Sequence, residues 1–335
     1  MHNLNIIIPV YNEAENIITA VERIKKECTC SHIITIVYDM DEDTTVAIVK
    51  QMQHDMNNLF LLKNRYGSGV LNAIKTGLEE TNTKYAVVTM ADLSDPPVVI
   101  NDMFRIAEEQ NADIVCGSRY MKGGKQIGGP FIKGLMSRAA GITLRYFAGV
   151  STHDATNSFK LYRTSFLQKQ QIESTGGFEL GIELVAKAHV CGYKICETPT
   201  IWTDRIAGES NFKLLSWLPC YLKWYFYTFQ KQTGILLMLL CAACICLGQL
   251  VWKLMPGYNL IYLLSGFAIY AFGALSMVFA YRYGELSVLQ PINSISYVFS
   301  SILAFFILQE NIPLVNIAGI LLIITGVFVI GRSSS

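Results

Sequence analysis

The stretch "YAVVTMADLSDPP", Tyr85 to Pro97, carries the pattern that decides the fold of the first half of the chain. It opens with apolar residues that favour β-structure and runs toward one acidic residue, Asp92, before the chain turns at Pro96. This pattern predicts a short buried strand that ends in an acidic loop. Loops at the carboxyl ends of such strands are where open α/β sheets bind ligands.

The same plan of strand, polar loop and helix recurs on the N-terminal side of this stretch. It appears in "LNIIIPVYNEAENI" from Leu4, in "HIITIVYDMDEDTT" from His32, and in "LFLLKNRYGSGVLNAI" from Leu59. Strands that alternate with helices predict an α/β fold, with a mostly parallel sheet and helices on both of its faces. The carboxyl ends of these strands meet at one edge of the sheet, and they deliver Tyr11, Glu13, Asp39 and Asp92 there.

The last third of the chain has a different composition. Between residues 234 and 330 its only charged residues are Lys253, Arg282, Glu285 and Glu310. Four apolar stretches in this region each approach the ~20 residues that cross a bilayer as a helix. They predict an all-α domain with four transmembrane helices, at Gly234 to Trp252, Leu260 to Tyr281, Leu286 to Leu308 and Ile312 to Ile330.

An aromatic segment, Leu214 to Gln232, lies between the two regions. Its rings and lysines are typical of an amphipathic helix in the lipid headgroup layer, and a core helix of the first domain is the alternative. The predicted organisation is therefore a soluble domain at 1–213, an interfacial segment at 214–232 and a membrane domain at 233–335.

Charge and cysteine content restrict the location and the partners. The formal net charge is +1 and there is no polybasic run, so nothing indicates a nucleic-acid partner. The first residues do not resemble a signal peptide, which predicts a cytoplasmic first domain with reduced thiols. Arg282 on the cytoplasmic side and Lys253 on the other fit that orientation. Cys241 and Cys244 have C-x-x-C spacing, but within an apolar helix we interpret them as helix packing residues.

Several motifs together resemble one enzyme family. "IIIPVYNEAENI", "IVYDMDEDTT", "ADLSDPP", "VCGSRYMKGG", "DATNSFKLY", "GFELGIELVAKA" and "DRIAGESNF" occur in order between Leu4 and Phe212. The set resembles family 2 glycosyltransferases of the dolichol-phosphate mannose synthase type, including their undecaprenyl-phosphate relatives in bacteria. The resemblance implies a GT-A fold and an inverting, metal-dependent transfer of a sugar. The donor would be a UDP- or GDP-sugar, and the acceptor an undecaprenyl or dolichyl phosphate.

The resemblance also implies roles for residues on the donor side. Asp92 matches the second Asp of the D-x-D motif, which binds Mg²⁺ or Mn²⁺ on the donor diphosphate and takes part in catalysis. Donor binding would involve Pro9, Tyr11, Glu13, Asp39, Ala91 and Asp92.

The sequence departs from the family pattern within this motif. Met90 stands at the first Asp position, and its thioether is a poor ligand for a hard divalent cation. One carboxylate can still suffice, because Mg²⁺ often takes one or two carboxylates together with phosphate oxygens and water. Asp95 either restores a second carboxylate or acts as a turn residue before Pro96.

The acceptor that the resemblance implies is a phosphate that would already be mostly ionised near neutral pH, so cationic positioning would matter more than a general base. The matched positions imply Arg119, Lys133, Ser137 and Arg205 as acceptor phosphate ligands. Arg119 and Asp154 join Asp92 as expected catalytic residues, while His153 and His189 are interpreted as structural.

The apolar region resembles small multidrug resistance and EamA-type transporters. That resemblance implies a lipid headgroup path lined by Gln249, Lys253, Gln290, Asn293 and Glu310. Polar groups at membrane depth often mark function, but they also bridge helices. The membrane domain is expected either to assist product translocation, as a homo-oligomer, or only to anchor and dimerise the enzyme. A third alternative is a transporter with a degenerate transferase domain. The predicted location is a bacterial plasma membrane, in a multi-pass topology.

Overall fold

A computed structural model describes residues 2–92, 94–204 and 214–333 of the chain. The chain divides into two compact units, Met1–Thr228 and Phe229–Ser335. The first unit is α/β. Its strands are β1 Leu4–Val10, β2 His32–Tyr38, β3 Leu59–Lys63, β4 Tyr85–Val88, β5 Ile114–Ser118, β6 Lys125–Ile127, β7 Lys160–Arg163, β8 Ile195–Pro199 and β9 Ile201–Thr203.

The helices of this unit follow the strands in the order that the sequence predicts. They are α1 Ala14–Glu27, α2 Thr44–Met52, α3 Val70–Glu79, α4 Val99–Glu109, α5 Phe131–Thr143, α6 Thr164–Leu167, α7 Leu180–Val190 and α8 Leu214–Tyr227. A π-helical turn, Leu144–Ala148, continues α5 without a break.

Seven strands form the main sheet, in the order β3-β2-β1-β4-β7-β5-β8. β1 pairs in parallel with β2 and with β4, β2 with β3, and β5 with β8. β7 is antiparallel to both of its neighbours, β4 and β5. The predicted mostly parallel sheet is therefore confirmed, with one antiparallel strand that the sequence patterns did not reveal. β6 and β9 form a separate two-stranded parallel sheet.

Alternate side chains of β1 face opposite helical layers, as the period of two in a strand requires. Ile6 and Ile8 belong to the large core cluster that also contains Val21 of α1. Ile7 faces the other layer, where α3 approaches closely because residue 77 is glycine: a Cβ there would lie 2.5 Å from the Ile7 side chain. The two layers bury both faces of the sheet, and only the loops at the strand ends remain available for ligands.

The second unit contains five helices within its described residues. They are α9 Gln230–Lys253, α10 Leu260–Ala280, α11 Leu286–Asn293, α12 Ile295–Phe306 and α13 Leu314–Ser333. α9, α10 and the consecutive pair α11 and α12 are long and apolar enough to cross a membrane. The fourth predicted span falls on α13, whose stretch Leu314–Val329 is apolar but, among the residues that the structure describes, shorter than the other three candidates.

Small residues let α9 and α10 approach each other. Cys241 and Cys244 are buried, and a Cβ at Gly273 of α10 would lie 2.9 Å from the Cβ of Cys244. The thiols are free. This packing agrees with the interpretation of the C-x-x-C spacing as a helix contact.

Helix α5 rests directly on the loop that precedes β7. A Cβ at Gly141 would lie 2.0 Å from the carbonyl oxygen of His153, which is a backbone atom and cannot move aside freely. We expect Gly141→Ala to destabilise the first unit by ~1–3 kcal/mol, as overpacking typically does. Thermal unfolding of the full chain in detergent would measure this effect as a lower midpoint.

Ala139→Ser is the matched control, because it also adds one heavy atom to α5 but at an exposed position. An unchanged unfolding midpoint for Gly141→Ala would contradict the close contact between α5 and the loop.

Candidate functional site

The carboxyl ends of β1, β2 and β4 lie side by side, because these strands are parallel and adjacent. Pro9 pairs in register with Val37, and Ile7 with Val88. The segments that follow these strands therefore form one edge of the sheet, as predicted for Tyr11, Glu13, Asp39 and Asp92. Tyr11 is 57% exposed there, whereas Pro9 and Ala91 are buried.

The loop after β1 is fixed by the start of α2. Asp43 caps that helix by accepting a hydrogen bond from the backbone N–H of Thr45 at 2.8 Å. Its other oxygen accepts from the N–H of Asn12 at 3.1 Å, and the Thr45 hydroxyl accepts from the N–H of Glu13 at 2.9 Å. Asp43 and Thr45 thus fix the backbone at Asn12 and Glu13.

Asp39 is oriented by the loop between β3 and α3, a contribution that the sequence patterns did not predict. Asn64 Nδ2 donates to one carboxylate oxygen at 2.7 Å, and the N–H of Gly69 donates to the other at 2.8 Å. Gly69 has a φ of 128°, which glycine adopts readily. The only available sequence signal was that Asn64 follows β3 at the same edge of the sheet.

Asp92 lies in the loop after β4, and its carboxylate orientation is set locally. Its Oδ1 accepts hydrogen bonds from the Ser94 N–H at 3.1 Å and from the Ser94 hydroxyl at 2.6 Å. The Ser94 carbonyl in turn accepts from the N–H of Thr203 in β9 at 3.0 Å. Ser94 therefore connects the loop of Asp92 to the strand that leads into residues 205–213.

The donor set fits a divalent cation that brings most of its own ligands. Within residues 2–92, 94–204 and 214–333 there is no group of three or more His, Cys, Asp or Glu side chains that could hold a metal ion. A protein cage of the calcium type therefore does not fit. A single carboxylate, Asp92, fits Mg²⁺ or Mn²⁺ held jointly by protein, phosphate oxygens and water.

Asp95, three residues after Asp92, has a buried carboxyl group. It is only 6% exposed, and its Oδ1 has no hydrogen-bond partner among the residues that the structure describes. Burial raises the pKa of Asp95 to about 7; the charge of Arg119 opposes this shift, and Asp92 adds to it. Near neutral pH the side chain is thus partly protonated.

This pKa predicts a pH-dependent stability. An unfolded aspartate has a pKa near ~3.9, so between about pH 4 and pH 7 the folded chain retains a proton that the unfolded chain has lost. The free energy of unfolding therefore falls as pH rises through this window, by a few kcal/mol. We expect Asp95→Asn to remove this contribution, so that its unfolding midpoint falls less than that of the wild type between pH 5 and pH 8.

Tryptophan fluorescence during heating in a detergent buffer with EDTA would follow this difference. Asp102→Asn, at an exposed position of α4, should retain the wild-type pH dependence. Identical pH profiles for Asp95→Asn and wild type would show that Asp95 is ionised in the folded state.

Arg119 and Asp154 form a buried ion pair whose charges act on Asp95, in the loop after β4. Arg119 Nε donates to Asp154 Oδ2 at 2.7 Å and Nη2 donates to Oδ1 at 3.0 Å, so the pair is bidentate. The Asp154 side chain is fully buried and that of Arg119 is 10% exposed. Burial alone would raise the pKa of Asp154, but the charge and hydrogen bonds of Arg119 outweigh burial and lower it.

The guanidinium of Arg119 also contacts α5, the helix that carries Lys133 and Ser137. Nη2 of Arg119 donates to the Ser137 hydroxyl at 3.0 Å, and Ser137 Oγ lies 2.6 Å from Thr156 Oγ1. Lys133 lies one turn before Ser137 on α5, on a neighbouring part of the helix surface. Arg119, which follows β5, thus contacts Ser137, and Lys133 lies one turn away on the same helix as Ser137. Arg205 lies outside the described residues.

The loop that carries Asp154 is held by a second carboxylate, Glu197 of β8. Glu197 Oε2 accepts from the His153 N–H at 2.8 Å and from the Thr152 hydroxyl at 3.1 Å, and Oε1 lies 2.6 Å from His153 Nδ1. The Thr152 hydroxyl also accepts from the Asp154 N–H at 3.1 Å. His153 therefore has structural contacts, and Glu197 is a positioning residue that the sequence analysis missed.

The polar residues predicted for the second unit fall into two groups. Lys253 and Glu310 form an ion pair at the ends of α9 and α12. Gln290 accepts a hydrogen bond from the Tyr281 hydroxyl at the opposite ends of the spans, and the buried Asn293 Oδ1 nearby has no partner among the described atoms. Gln249 is exposed. These residues do not form one continuous cluster in a single copy of the unit.

Two family models match the chain. Residues 5–170 match the model described as glycosyl transferase family 2, and residues 218–332 match the model described as the EamA-like transporter family. The two matches lie on the α/β region and on the apolar helical region, respectively.

Curated relatives match the first of these regions. A polyprenol monophosphomannose synthase from Mycolicibacterium smegmatis is 28% identical over 228 residues, covering 63% of this chain and 85% of the relative. A dolichol-phosphate mannosyltransferase from Pyrococcus furiosus is 28% identical over 214 residues, covering 63% of this chain. The match spans 59% of the length of that second relative.

Solved structures show the likeness of fold. A glucosyl-3-phosphoglycerate synthase from Mycobacterium tuberculosis, in complex with Mn²⁺, UDP-glucose and phosphoglyceric acid, has a TM-score of 0.52 at 12% identity. The match covers 68% of this chain and 79% of that chain. A complex of the same synthase with Mn²⁺, UDP and glucosyl-3-phosphoglycerate gives a TM-score of 0.50 at 11% identity, with the same coverage. The predicted GT-A fold is confirmed.

Proposed function

We propose that this chain, a glycosyltransferase whose residues 5–170 form a family 2 domain and whose residues 218–332 form an EamA-like domain, transfers a sugar from a nucleoside diphosphate to a polyprenyl phosphate. The observation that carries the proposal is the proximity of an acidic loop and a buried cationic cluster. Asp95, in the loop of Asp92, lies within range of the charges of both Asp92 and Arg119, and Arg119 donates a hydrogen bond to Ser137. Relatives named for polyprenol and dolichol phosphate mannose transfer support the acceptor class.

On the donor side, the nucleotide would lie along the sheet edge. Tyr11, Glu13 and the oriented carboxylate of Asp39 are the proposed contacts to base and ribose, with Pro9 and Ala91 shaping the floor. Asp92 would hold Mg²⁺ or Mn²⁺ on the diphosphate, and the bound ion would stabilise negative charge on the leaving group. Ser94 fixes the carboxylate of Asp92, which reduces the reorganisation required when the donor binds.

On the acceptor side, the nucleophile is a phosphate oxygen. Its second pKa is near ~6, so it is mostly ionised at neutral pH and needs no general base. Arg119 and Ser137 would bind this phosphate and aim it at the anomeric carbon, with Lys133 and Arg205 as further ligands. Asp154 would position Arg119. The pKa of Asp154 is lowered and its carboxylate binds the Arg119 guanidinium in a bidentate manner, so it is suited to fixing that group rather than to accepting a proton.

The membrane-spanning helices suit a lipid acceptor. A polyprenyl chain is costly to extract from a bilayer, at ~0.8 kcal/mol per methylene, so the active site has to work at the membrane surface. We assign that surface to the cytoplasmic face, where nucleotide sugars are the expected donors, and the chain to a plasma membrane.

A transfer assay tests the proposal. Full-length protein in lipid nanodiscs would be incubated with radiolabelled UDP- and GDP-sugars, a polyprenyl phosphate and MnCl₂, and the organic phase would be counted. We expect label in the lipid product for one donor class, and loss of that label when EDTA is added. No lipid-linked label with any donor would reject the function and favour a sugar-lipid transporter with a degenerate transferase domain.

A second candidate function is transport by the EamA-like domain. The match to a transporter family favours transport over the role of a simple anchor. We infer that it assists passage of the glycosylated lipid across the bilayer as a homo-oligomer, with Gln290 and Asn293 contacting the headgroup. Headgroup translocation in liposomes would be compared for wild type and Gln290→Leu. Equal rates, matching those of protein-free liposomes, would leave the domain as an anchor and dimerisation unit.

A further inference from the structure

Thr156, two residues after Asp154, completes a ring of hydrogen bonds with Arg119, Ser137 and Asp154. Arg119 Nη2 lies 3.0 Å from Ser137 Oγ and 3.4 Å from Thr156 Oγ1. The two hydroxyl oxygens lie 2.6 Å apart, and Thr156 Oγ1 lies 3.3 Å from Asp154 Oδ1. Arg119 Nη2 also lies 3.0 Å from Asp154 Oδ1, which closes the ring. These four side chains are hereafter called the Arg119 ring.

The chemistry of its members fixes the direction of each hydrogen bond in the Arg119 ring. A guanidinium only donates and an ionised carboxylate only accepts, whereas a hydroxyl group does both. Arg119 is paired with Asp154, so the ring starts at the guanidinium and ends at the carboxylate. The hydroxyl proton of Ser137 therefore points to Thr156, and that of Thr156 points to Asp154. Both protons are directed into the ring, and each can rotate outward toward a stronger acceptor.

The two hydroxyl groups are the accessible part of the Arg119 ring. The Asp154 side chain is fully buried and that of Arg119 is 10% exposed, whereas Ser137 and Thr156 are both partly exposed. One nitrogen of Arg119 is also unused, because Nη1 donates no hydrogen bond within the part of the chain that the structure describes. Nη1 and the two hydroxyl groups thus give three neighbouring hydrogen-bond donors for an anion.

We propose that the Thr156 hydroxyl is a further ligand of the acceptor phosphate, next to Ser137 and Nη1 of Arg119. This inference rests on the acceptor class proposed above and deepens it. A charged phosphate oxygen is a stronger acceptor than a hydroxyl oxygen, so the protons of Ser137 and Thr156 rotate from the ring to the phosphate. Asp154 stays satisfied, because Nε and Nη2 of Arg119 still donate to it.

The number of donors matches the chemistry of a phosphate monoester. Its three terminal oxygens are strong acceptors, and the Arg119 ring offers one donor group for each of them. A lipid alcohol has a single, weaker acceptor and leaves two of these donor groups without a partner. A hydrogen bond to a charged group typically contributes about tenfold in affinity or more, so the loss of the Thr156 hydroxyl should be measurable by binding alone.

Titration calorimetry with farnesyl phosphate measures this binding without donor or turnover. The protein is the full-length chain in detergent, and farnesol, which lacks the phosphate, is the ligand control. We expect Thr156→Val and Thr156→Ala to bind farnesyl phosphate about tenfold more weakly than the wild type, and Thr156→Ser to bind it within about threefold. Thr143→Val is the matched control, because the Thr143 hydroxyl donates to the Ala139 carbonyl at 2.8 Å within α5.

Steady-state transfer separates a phosphate ligand from a purely structural residue. Thr156→Val should raise KM for the polyprenyl phosphate about tenfold and leave KM for the sugar donor unchanged. A loosened fold would instead impair both substrates and lower the thermal midpoint of the ligand-free protein. We expect the ligand-free midpoints of Thr156→Val and Thr143→Val to be equal within a few degrees.

Three results would overturn the proposal. If the wild type prefers farnesyl phosphate to farnesol but Thr156→Val binds the phosphate equally well, Thr156 is not a phosphate ligand, and the proposed function stands without it. Equal weakening in Thr156→Ser and Thr156→Val would mean that the shape of the side chain matters rather than its hydroxyl group. A wild type that binds farnesyl phosphate no better than farnesol would reject the acceptor class of the proposed function, and this inference with it.

Discussion

Asp92→Asn is expected to lower the rate of sugar transfer about a thousandfold, because a divalent ion on a leaving diphosphate is worth several kcal/mol and Asp92 is its proposed carboxylate ligand. Asparagine preserves the shape of the side chain and can still accept the hydrogen bonds from Ser94. What it removes is the negative charge. The measurement is radiolabel transfer to polyprenyl phosphate at several MnCl₂ concentrations.

Asp102→Asn controls for the loss of a carboxylate elsewhere, because Asp102 pairs with Arg105 on the exposed surface of α4. It should transfer sugar at the wild-type rate. A rate for Asp92→Asn within tenfold of wild type, with an unchanged dependence on MnCl₂, would remove Asp92 from the metal site. Ligand-induced thermal stabilisation by Mn²⁺ with UDP or GDP gives a second readout that does not depend on turnover.

Asp154→Ala is expected to destabilise the first unit by ~3–5 kcal/mol, because it leaves the buried guanidinium of Arg119 without its counterion. For a unit of this size each kcal/mol lowers the thermal midpoint by roughly 2–4 °C. Transfer should also be lost, since Arg119 would no longer be held toward Ser137. Heating in detergent with tryptophan fluorescence measures the first effect, and the transfer assay measures the second.

A double variant distinguishes a catalytic pair from a purely structural one. Arg119→Met with Asp154→Leu replaces the pair by apolar side chains of similar size, which often recovers the stability that a single change loses. We expect the thermal midpoint to recover most of its decrease, while the transfer rate stays below about one hundredth of the wild-type rate. Such a rate corresponds to an activation free energy that is ~3 kcal/mol higher. Arg105→Met with Asp102→Leu, an exposed pair on α4, is the matched control. Recovery of transfer in the Arg119 and Asp154 double variant would show that the pair does not contact the acceptor.

The strands of the first half could be predicted because buried strands leave a local signal. Leu4 to Val10 and Tyr85 to Val88 are runs of apolar β-formers that end at polar loops, and both appear as strands. The spans could be predicted for the same reason, because ~20 apolar residues are a property of the local sequence. Asp92 and Asp39 could be placed at one edge because parallel strands share a direction.

The fourth predicted span and the aromatic segment are two features that local sequence signals describe less completely. The apolar run near the C-terminus forms the helix Leu314–Ser333, where the prediction placed a span at Ile312 to Ile330. Within the aromatic segment, Trp224 is fully buried whereas Phe226 is 66% exposed. The same composition therefore serves a core contact and an exposed surface, and only the packing of α8 decides which ring does which.

The sequence by itself determined the order of strands and helices, the division into an α/β region and an apolar helical region, and the acidic loops at the strand ends. The tertiary structure alone decided that β7 inserts antiparallel between β4 and β5, which brings Asp154 onto Arg119 across an interval of 35 residues. It also decided that Asp95 is buried and that Glu197 holds the loop at His153. The physical reason is that periodicity reports which face of a segment is apolar, whereas strand order and buried charge pairs arise from contacts between distant segments.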